Sequence, residues 1–139
     1  MEQTTEQIRT SKTYIPVRGY HLDAFNHVNN ARYLEFLEEA RWAHFEASDE
    51  WGKMLRQGLA PVIVHYDISY KYPATLGQIL EVHTSFESAG NTSMAIRQKI
   101  YLKGTDTLVI NAKVTFVLFD QKTEQAVTIS EDLVERMKS

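Results

Sequence analysis

The sequence contains no cysteine, and that absence removes disulfides, thiolate metal sites and a cysteine nucleophile together. Any covalent chemistry has to use oxygen or nitrogen. No apolar run approaches the roughly 20 residues that cross a bilayer. The longest, around residues 59–64 and 114–119, are far shorter, and the opening MEQTTEQIRTSKT lacks the apolar core of a secretory signal. A cytoplasmic protein with no membrane partner is the expectation. Basic excess is missing too: the formal charge is −3, which argues against a nucleic-acid partner and means that an anionic ligand needs a local basic patch. There is no GxSxG elbow, no HExxH and no GxGxxG or Walker loop, which leaves little room for a serine esterase, a zinc protease or a nucleotide enzyme. His21, His44, His65 and His83 are scattered without metal-ligand spacing, so no metal is expected.

What is present fits one domain. The 139 residues carry 43% apolar and 11% aromatic side chains, enough for a single core, so the whole of residues 1–139 is read as one unit. Residues 1–11 are polar and unpatterned, and a flexible lead-in is expected there. Alternation over residues 12–20 indicates a strand, with Pro16 favouring a sheet edge. In residues 31–47, Tyr33, Phe36, Leu37, Ala40 and Ala43 or His44 recur at three- and four-residue spacing. That is a helix with one buried face, its other side carrying Glu35, Glu38, Glu39 and Arg41. Asn29 or Asn30 stands ready as its N-cap. A short helix over residues 50–57 should stop at Gly58.

Beyond Ala60 the period becomes two. Val62, Val64, Tyr66, Ile68 and Tyr70 alternate with polar residues along one long strand, and strands over 78–87, 93–102 and 108–119 follow, separated by turn signals at 89–91 and 103–106. A short helix started by Ser130 is expected over 131–137. One long helix followed by a meander means an α+β domain in which the antiparallel sheet covers the helix. A sheet of about five strands leaves edges, and edges are often buried against another copy of the chain, so a homo-oligomer is expected.

The informative stretch is RGYHLDAFNHVNNARYLEFLEEARW, residues 18–42. A strand ends, a polar loop from Asp23 to Asn30 crosses over, and a buried helix begins. Asp23 and the asparagines can be read as turn formers and caps. The aspartate, then His27-Val28-Asn29-Asn30, then Tyr33 and a Glu-rich helical turn also resemble the hotdog-fold thioesterases of the 4-hydroxybenzoyl-CoA thioesterase-like superfamily. YKYPATLGQIL at residues 70–80 and the strand ending at Phe119 extend the likeness over about residues 13–120. Within that superfamily the run HVNNARYLEFLEEARW resembles most the bacterial long-chain acyl-CoA thioesterases. Many members have Gly where Asn26 stands and Asp where Gln78 stands.

The resemblance implies a hotdog fold, a long helix wrapped by a roughly five-stranded antiparallel sheet. It also implies hydrolysis of an acyl-CoA, medium- to long-chain, to free acid and CoA, as in fatty acid metabolism. Coenzyme A belongs to the substrate, so no cofactor is implied. A homodimer or homotetramer with sites at the subunit interface is implied as well. A thiolate of pKa about 8–9 leaves far more readily than an amine, so one carboxylate and one oxyanion site suffice. Asp23 takes the role of general base or nucleophile. The resemblance assigns the backbone N–H near Asn30, at a helix N-terminus, as the oxyanion donor, with the Asn29 side chain as an orienting or capping group. His27 either donates to the carbonyl or holds the loop. Tyr33, Lys71, Tyr72, Asn91 and Ser93 are candidates for binding substrate, with Arg97, Lys99 and Lys103 as further cations for the CoA phosphates. The acyl chain is expected between helix and sheet, against Phe36, Leu37, Val64 and Tyr66.

Three alternatives stay open. Glu35 could replace Asp23 as a helix-borne catalytic carboxylate, or could work with His27 in an acyl dehydratase of the same fold. A non-catalytic acyl-CoA binding module would use Asp23 only as a cap.

Overall fold

A computed structural model describes residues 7–139. The chain runs β1 (Thr10–Pro16), a 3-10 turn (Gly19–His21), α1 (Asn30–Glu46), α2 (Glu50–Arg56), β2 (Leu59–Tyr70), β3 (Ile79–Ala89), β4 (Ser93–Leu102), β5 (Leu108–Asp120), β6 (Gln125–Ala126) and α3 (Glu131–Lys138). The sheet is antiparallel in the order β1-β3-β4-β5-β2, with β6 paired to the end of β5. It curls around α1, which is the hotdog arrangement the sequence led us to expect. Residues 1–6 of the expected lead-in lie outside the described residues, but Thr10 and Ser11, also assigned to it, pair with Ser85 and Thr84 as the start of β1. The same strand ends at Pro16, earlier than expected, and the chain folds into the 3-10 turn.

Helix α1 buries Tyr33, Phe36, Leu37, Ala40, His44 and Phe45, as the spacing required. It also buries Arg41, which the sequence placed on the solvated side; only 6% of it is exposed. At 3.6 residues per turn Arg41 falls four positions after Leu37, on the apolar stripe, and the guanidinium finds partners inside. Two packed regions follow from this. One lies between the first turns of α1 and the sheet, with Leu37, Leu80, Val82, Ile100 and Ile110 at its centre. The other lies at the far end, where Phe45, Met54, Phe116 and Leu118 meet Leu133 and Met137 of α3.

Strand β2 departs from simple alternation. The register slips between Ile63 and His65, and the bulge turns Val62 and Val64 outward while Ile63, Tyr66 and Ile68 pack inward. The single apolar face expected over this strand is therefore split. β2 is also a sheet edge, with its outer backbone groups unpaired by any described strand.

Candidate active site

The loop from Leu22 to Asn29 is tied down residue by residue. Asp23 N–H donates to the His27 carbonyl at 2.8 Å, and Val28 N–H donates to Ala74 O at 2.9 Å. Asp23 Oδ1 accepts from the backbone N–H groups of Phe25 (2.8 Å) and His27 (3.2 Å), so the aspartate does shape the turn. Oδ2 has no hydrogen-bond partner among the described residues. The turn forces Asn26 to a positive φ of 63°, which is the reason a glycine suits that position and why asparagine, tolerant of the left-handed region, can replace it. The second departure is accommodated as simply, since Gln78 Oε1 accepts from Thr75 N–H at 2.8 Å across the turn before β3.

The start of α1 is capped selectively. Asn29 Oδ1 accepts from Ala31 N–H at 2.9 Å, and the Asn29 carbonyl accepts from Arg32 N–H, also at 2.9 Å. Asn29's own N–H is held by the carbonyl of His21 at 2.9 Å. The backbone N–H of Asn30 is left without a partner among the described residues, at the positive end of the helix dipole. His21 supports this from below. Its ring is buried edge-on against Phe36 and its Nδ1 accepts from Arg18 N–H at 2.9 Å. Burial holds its pKa below the ordinary histidine value, helped by the positive charges of Arg32 and Arg18 against the opposing charge of Glu35.

Asp23, His27, Val28, Asn30, Tyr33, Tyr70, Lys71, Tyr72 and Pro73 line one cleft of about 220 Å³. Tyr33 forms its wall: the phenol oxygen accepts from Ala74 N–H at 3.2 Å, and burial raises its pKa, so the hydroxyl keeps its proton. Tyr70 closes the side by donating to the Asn30 carbonyl at 3.3 Å. A lone carboxylate oxygen and an open helix N–H thus share a small polar recess. Geometry of this kind suits attack on a carbonyl whose oxygen gathers negative charge.

Other expected residues lie elsewhere. Asn29 serves as the N-cap beside the cleft rather than as a lining residue. Asn91 and Ser93 sit at the opposite end of the sheet, since Ser93 is in register with Val117 whereas Tyr70 faces Ile110. Those two β5 positions are about 23 Å apart at roughly 3.3 Å per residue. Of the cations, only Lys71 reaches the cleft. Arg97 is engaged by Glu87 at 2.8 Å and Lys103 lies over the Tyr14 ring at 5.3 Å. Glu35 is held by Arg32 at 2.9 Å outside the cleft, apart from His27. The acyl path expected between helix and sheet is filled: Leu37 is fully buried and Val64 faces outward. Pro73 and Tyr70 were missed as cleft walls, although the YKYP run that carries them was part of the resemblance.

Comparison with known proteins agrees with this fold. The family model described as the thioesterase-like superfamily matches residues 17–137. The long-chain acyl-CoA thioesterase FadM of Escherichia coli K12 is 42% identical over 127 residues, covering 91% of this chain and 96% of that protein. The acyl-CoA thioester hydrolase YbgC of Escherichia coli is 32% identical, over 76% of this chain and 80% of its own. Among solved structures, the probable thioesterase YbaW of Escherichia coli superposes with a TM-score of 0.87 at 41% identity, covering 92% of this chain and 98% of that one.

Proposed function

The chain belongs to the thioesterase-like superfamily and is a thioester hydrolase, and from that premise we propose that it cleaves medium- to long-chain fatty acyl-CoA to the free acid and CoA. The observation that carries the reading is the cleft in which Asp23 Oδ2 and the Asn30 N–H are both free. In the reaction the thioester carbonyl oxygen accepts a hydrogen bond from Asn30 N–H. Asp23 either removes a proton from water as the water oxygen bonds to the carbonyl carbon, or attacks that carbon itself to give an anhydride that water opens. In both routes the C–S bond breaks and the electron pair leaves on the CoA thiolate. The reaction as written uses no metal or separate cofactor, and Lys71 and Tyr72, which line the cleft, would meet the CoA portion.

The test uses two variants at Asp23 and a free-thiol release assay. Asp23→Asn retains Oδ1 as the turn's acceptor and removes only the charge, and kcat should fall by about 10²–10⁴-fold with folding unchanged. Turnover near that of the wild type would refute the assignment. Binding of acyl-CoA by the wild type without CoA release would favour the binding-module reading instead.

The free β2 edge, with Val62 and Val64 outward and Trp42 nearby half exposed, supports a homodimer, or a homotetramer built from it, paired through this strand. Two such edges meeting about a two-fold axis run antiparallel. That arrangement carries the far end of the second copy's sheet, with its Asn91–Ser93 turn, toward this cleft. Val64→Lys should shift the mass seen by sedimentation to that of a monomer and reduce activity; an unchanged mass would exclude this edge.

A further inference from the structure

His21 sits beneath the candidate active site without lining it: only 5% of the residue is exposed and it borders none of the cleft. Three parts of the chain close on it. Its backbone N–H donates to the Arg18 carbonyl at 3.0 Å, and in return its Nδ1 accepts from Arg18 N–H at 2.9 Å, so the ring is locked to the chain leaving β1. Its carbonyl accepts from Asn29 N–H at 2.9 Å. The ring lies edge-on to Phe36 of α1, with centroids 4.8 Å apart, and Tyr20 packs on it at 4.2 Å.

Both reacting groups hang from this one residue. Asp23 follows it by two positions, and Leu22 between them bridges to Val28. Asn30 N–H lies one peptide beyond the Asn29 N–H that the His21 carbonyl holds. The separation of the carboxylate from the helix N–H is therefore set where His21 is clamped, and a misplacement of about 1 Å at a reacting atom costs about 10²-fold in rate. The clamp has a condition. A ring nitrogen that accepts from an N–H carries no proton, so the bond to Arg18 exists only in the neutral ring, with its hydrogen on Nε2. Charging the ring turns Nδ1 into a donor facing another donor.

We propose that His21 is a positioning residue for thioester hydrolysis, holding Asp23 and the Asn30 N–H in place while its ring is neutral and releasing them when the ring takes a proton. That the arrangement serves hydrolysis rests on the function proposed above; the clamp itself rests on the hydrogen bonds. The charged groups facing the ring are Arg18 on its own turn and Arg32 and Glu35 on α1, the last two paired at 2.9 Å. The rings packed on it, Tyr20 and Phe36, are aromatic. Burial, then Arg32 and Arg18, favour the neutral form, and Glu35 opposes them. The folded ring therefore takes its proton only below the ordinary histidine value of 6.5, and the clamp is closed above it.

Amide spectra of the full-length protein test the clamp without any turnover. As the pH is lowered, the Asn30 amide resonance should move with the same midpoint as the His21 ring protons, below 6.5. In His21→Asn, whose Oδ1 accepts but does not titrate, it should not move with that midpoint. Kinetics with acyl-CoA test the consequence. His21→Leu, which lacks the acceptor, should lower kcat about 10–100-fold and leave KM within about twofold, since the residue is outside the cleft. His21→Asn should recover most of that loss and lack the acid limb of kcat that the wild type shows below 6.5. Asp23 and His27 are common to both proteins, so a difference between the limbs belongs to residue 21. Should His21→Leu fail to fold, the wild type and His21→Asn decide. An Asn30 amide that ignores the ring, equal acid limbs in the wild type and His21→Asn, or wild-type kcat in a folded His21→Leu overturns the proposal. Absence of acyl-CoA hydrolysis in the wild type would strike the function proposed above and leave the amide titration to decide the clamp.

Discussion

The two ends of α1 are finished in opposite ways. At its C-terminal end the helix is closed over by other parts of the chain. His44 is 1% exposed; its ring meets the Ser11 hydroxyl, and its carbonyl accepts from Arg9 at 2.8 Å. Arg9 also donates to the carbonyls of Lys138 and Ser139, at 2.8 and 2.9 Å, so the start of the described chain and its last helix close over this end. Phe45 stacks on Trp51 at 4.2 Å beneath. At the N-terminal end the Asn30 N–H, one oxygen of Asp23 and the ring of His27 are left without partners among the described residues, although the backbone around them is fully ordered by hydrogen bonds. The helix is anchored at one end so that the other can carry unsatisfied groups in a fixed place. Preorganised donors that are not yet used are what stabilise charge developing on a substrate.

That contrast can be broken or sharpened by experiment. The largest effect belongs to Asp23→Asn at the open end, where the loss of turnover should come with no change in the urea midpoint, because the turn keeps its acceptor. Asp23→Ala should lose the same activity and, unlike the asparagine, should also loosen the loop. A stability loss in Asp23→Asn comparable with that in Asp23→Ala would show that the open end is structural after all.

The closed end should respond to pH instead. Burial and the nearby Arg9 guanidinium pull His44 down from 6.5 to about 4. Between those values the unfolded chain holds a proton that the folded chain refuses. The contribution of neutral His44 is therefore complete above pH 6.5 and is lost as the pH falls through that window. Unfolding in urea should show a loss of about 1.5 kcal/mol from pH 6.5 to pH 5, the slope approaching about 1.4 kcal/mol per unit toward the lower end, and His44→Leu should flatten that slope. An unchanged slope in the variant would remove His44 as its source.

The smallest effect is at Asn29. Asn29→Ala should cost about 1 kcal/mol in stability, the usual worth of an N-cap, while kcat falls more than that because the first turn loses its anchor. Asn29→Asp keeps the acceptor and should restore the stability. A kcat that stays at the wild-type value in Asn29→Ala would mean that the cap does not position the Asn30 N–H.

How much of this was legible beforehand differs residue by residue. Tyr33, Phe36, Leu37 and Ala40 were readable as a buried stripe because the period of a helix is fixed by its hydrogen bonds. Arg41 was misplaced, since charge type was allowed to outweigh its position on the same stripe, and only the Gln98 and Tyr66 partners inside make its burial tolerable. The face of β2 was misread at Val64 because a one-residue bulge leaves no sign in an alternating pattern. The Asn91–Ser93 turn looked like a donor loop and lies at the end of this chain's sheet opposite the cleft, a matter of strand register rather than of composition.

By itself the sequence determined the order of elements, the cap at the start of α1 and the identity of the loop carboxylate. These are local, set by periodicity and by side chains that bond to backbone within a few residues. Only the tertiary structure decided that Tyr70 and Tyr33 wall the recess beside Asp23, and that a cation lies buried beside two tryptophans. Each of these depends on segments 30 to 60 residues apart being brought together, as from Tyr33 to Ala74 and from Arg41 to Gln98, and pairing over such distances is fixed by packing rather than by any local pattern.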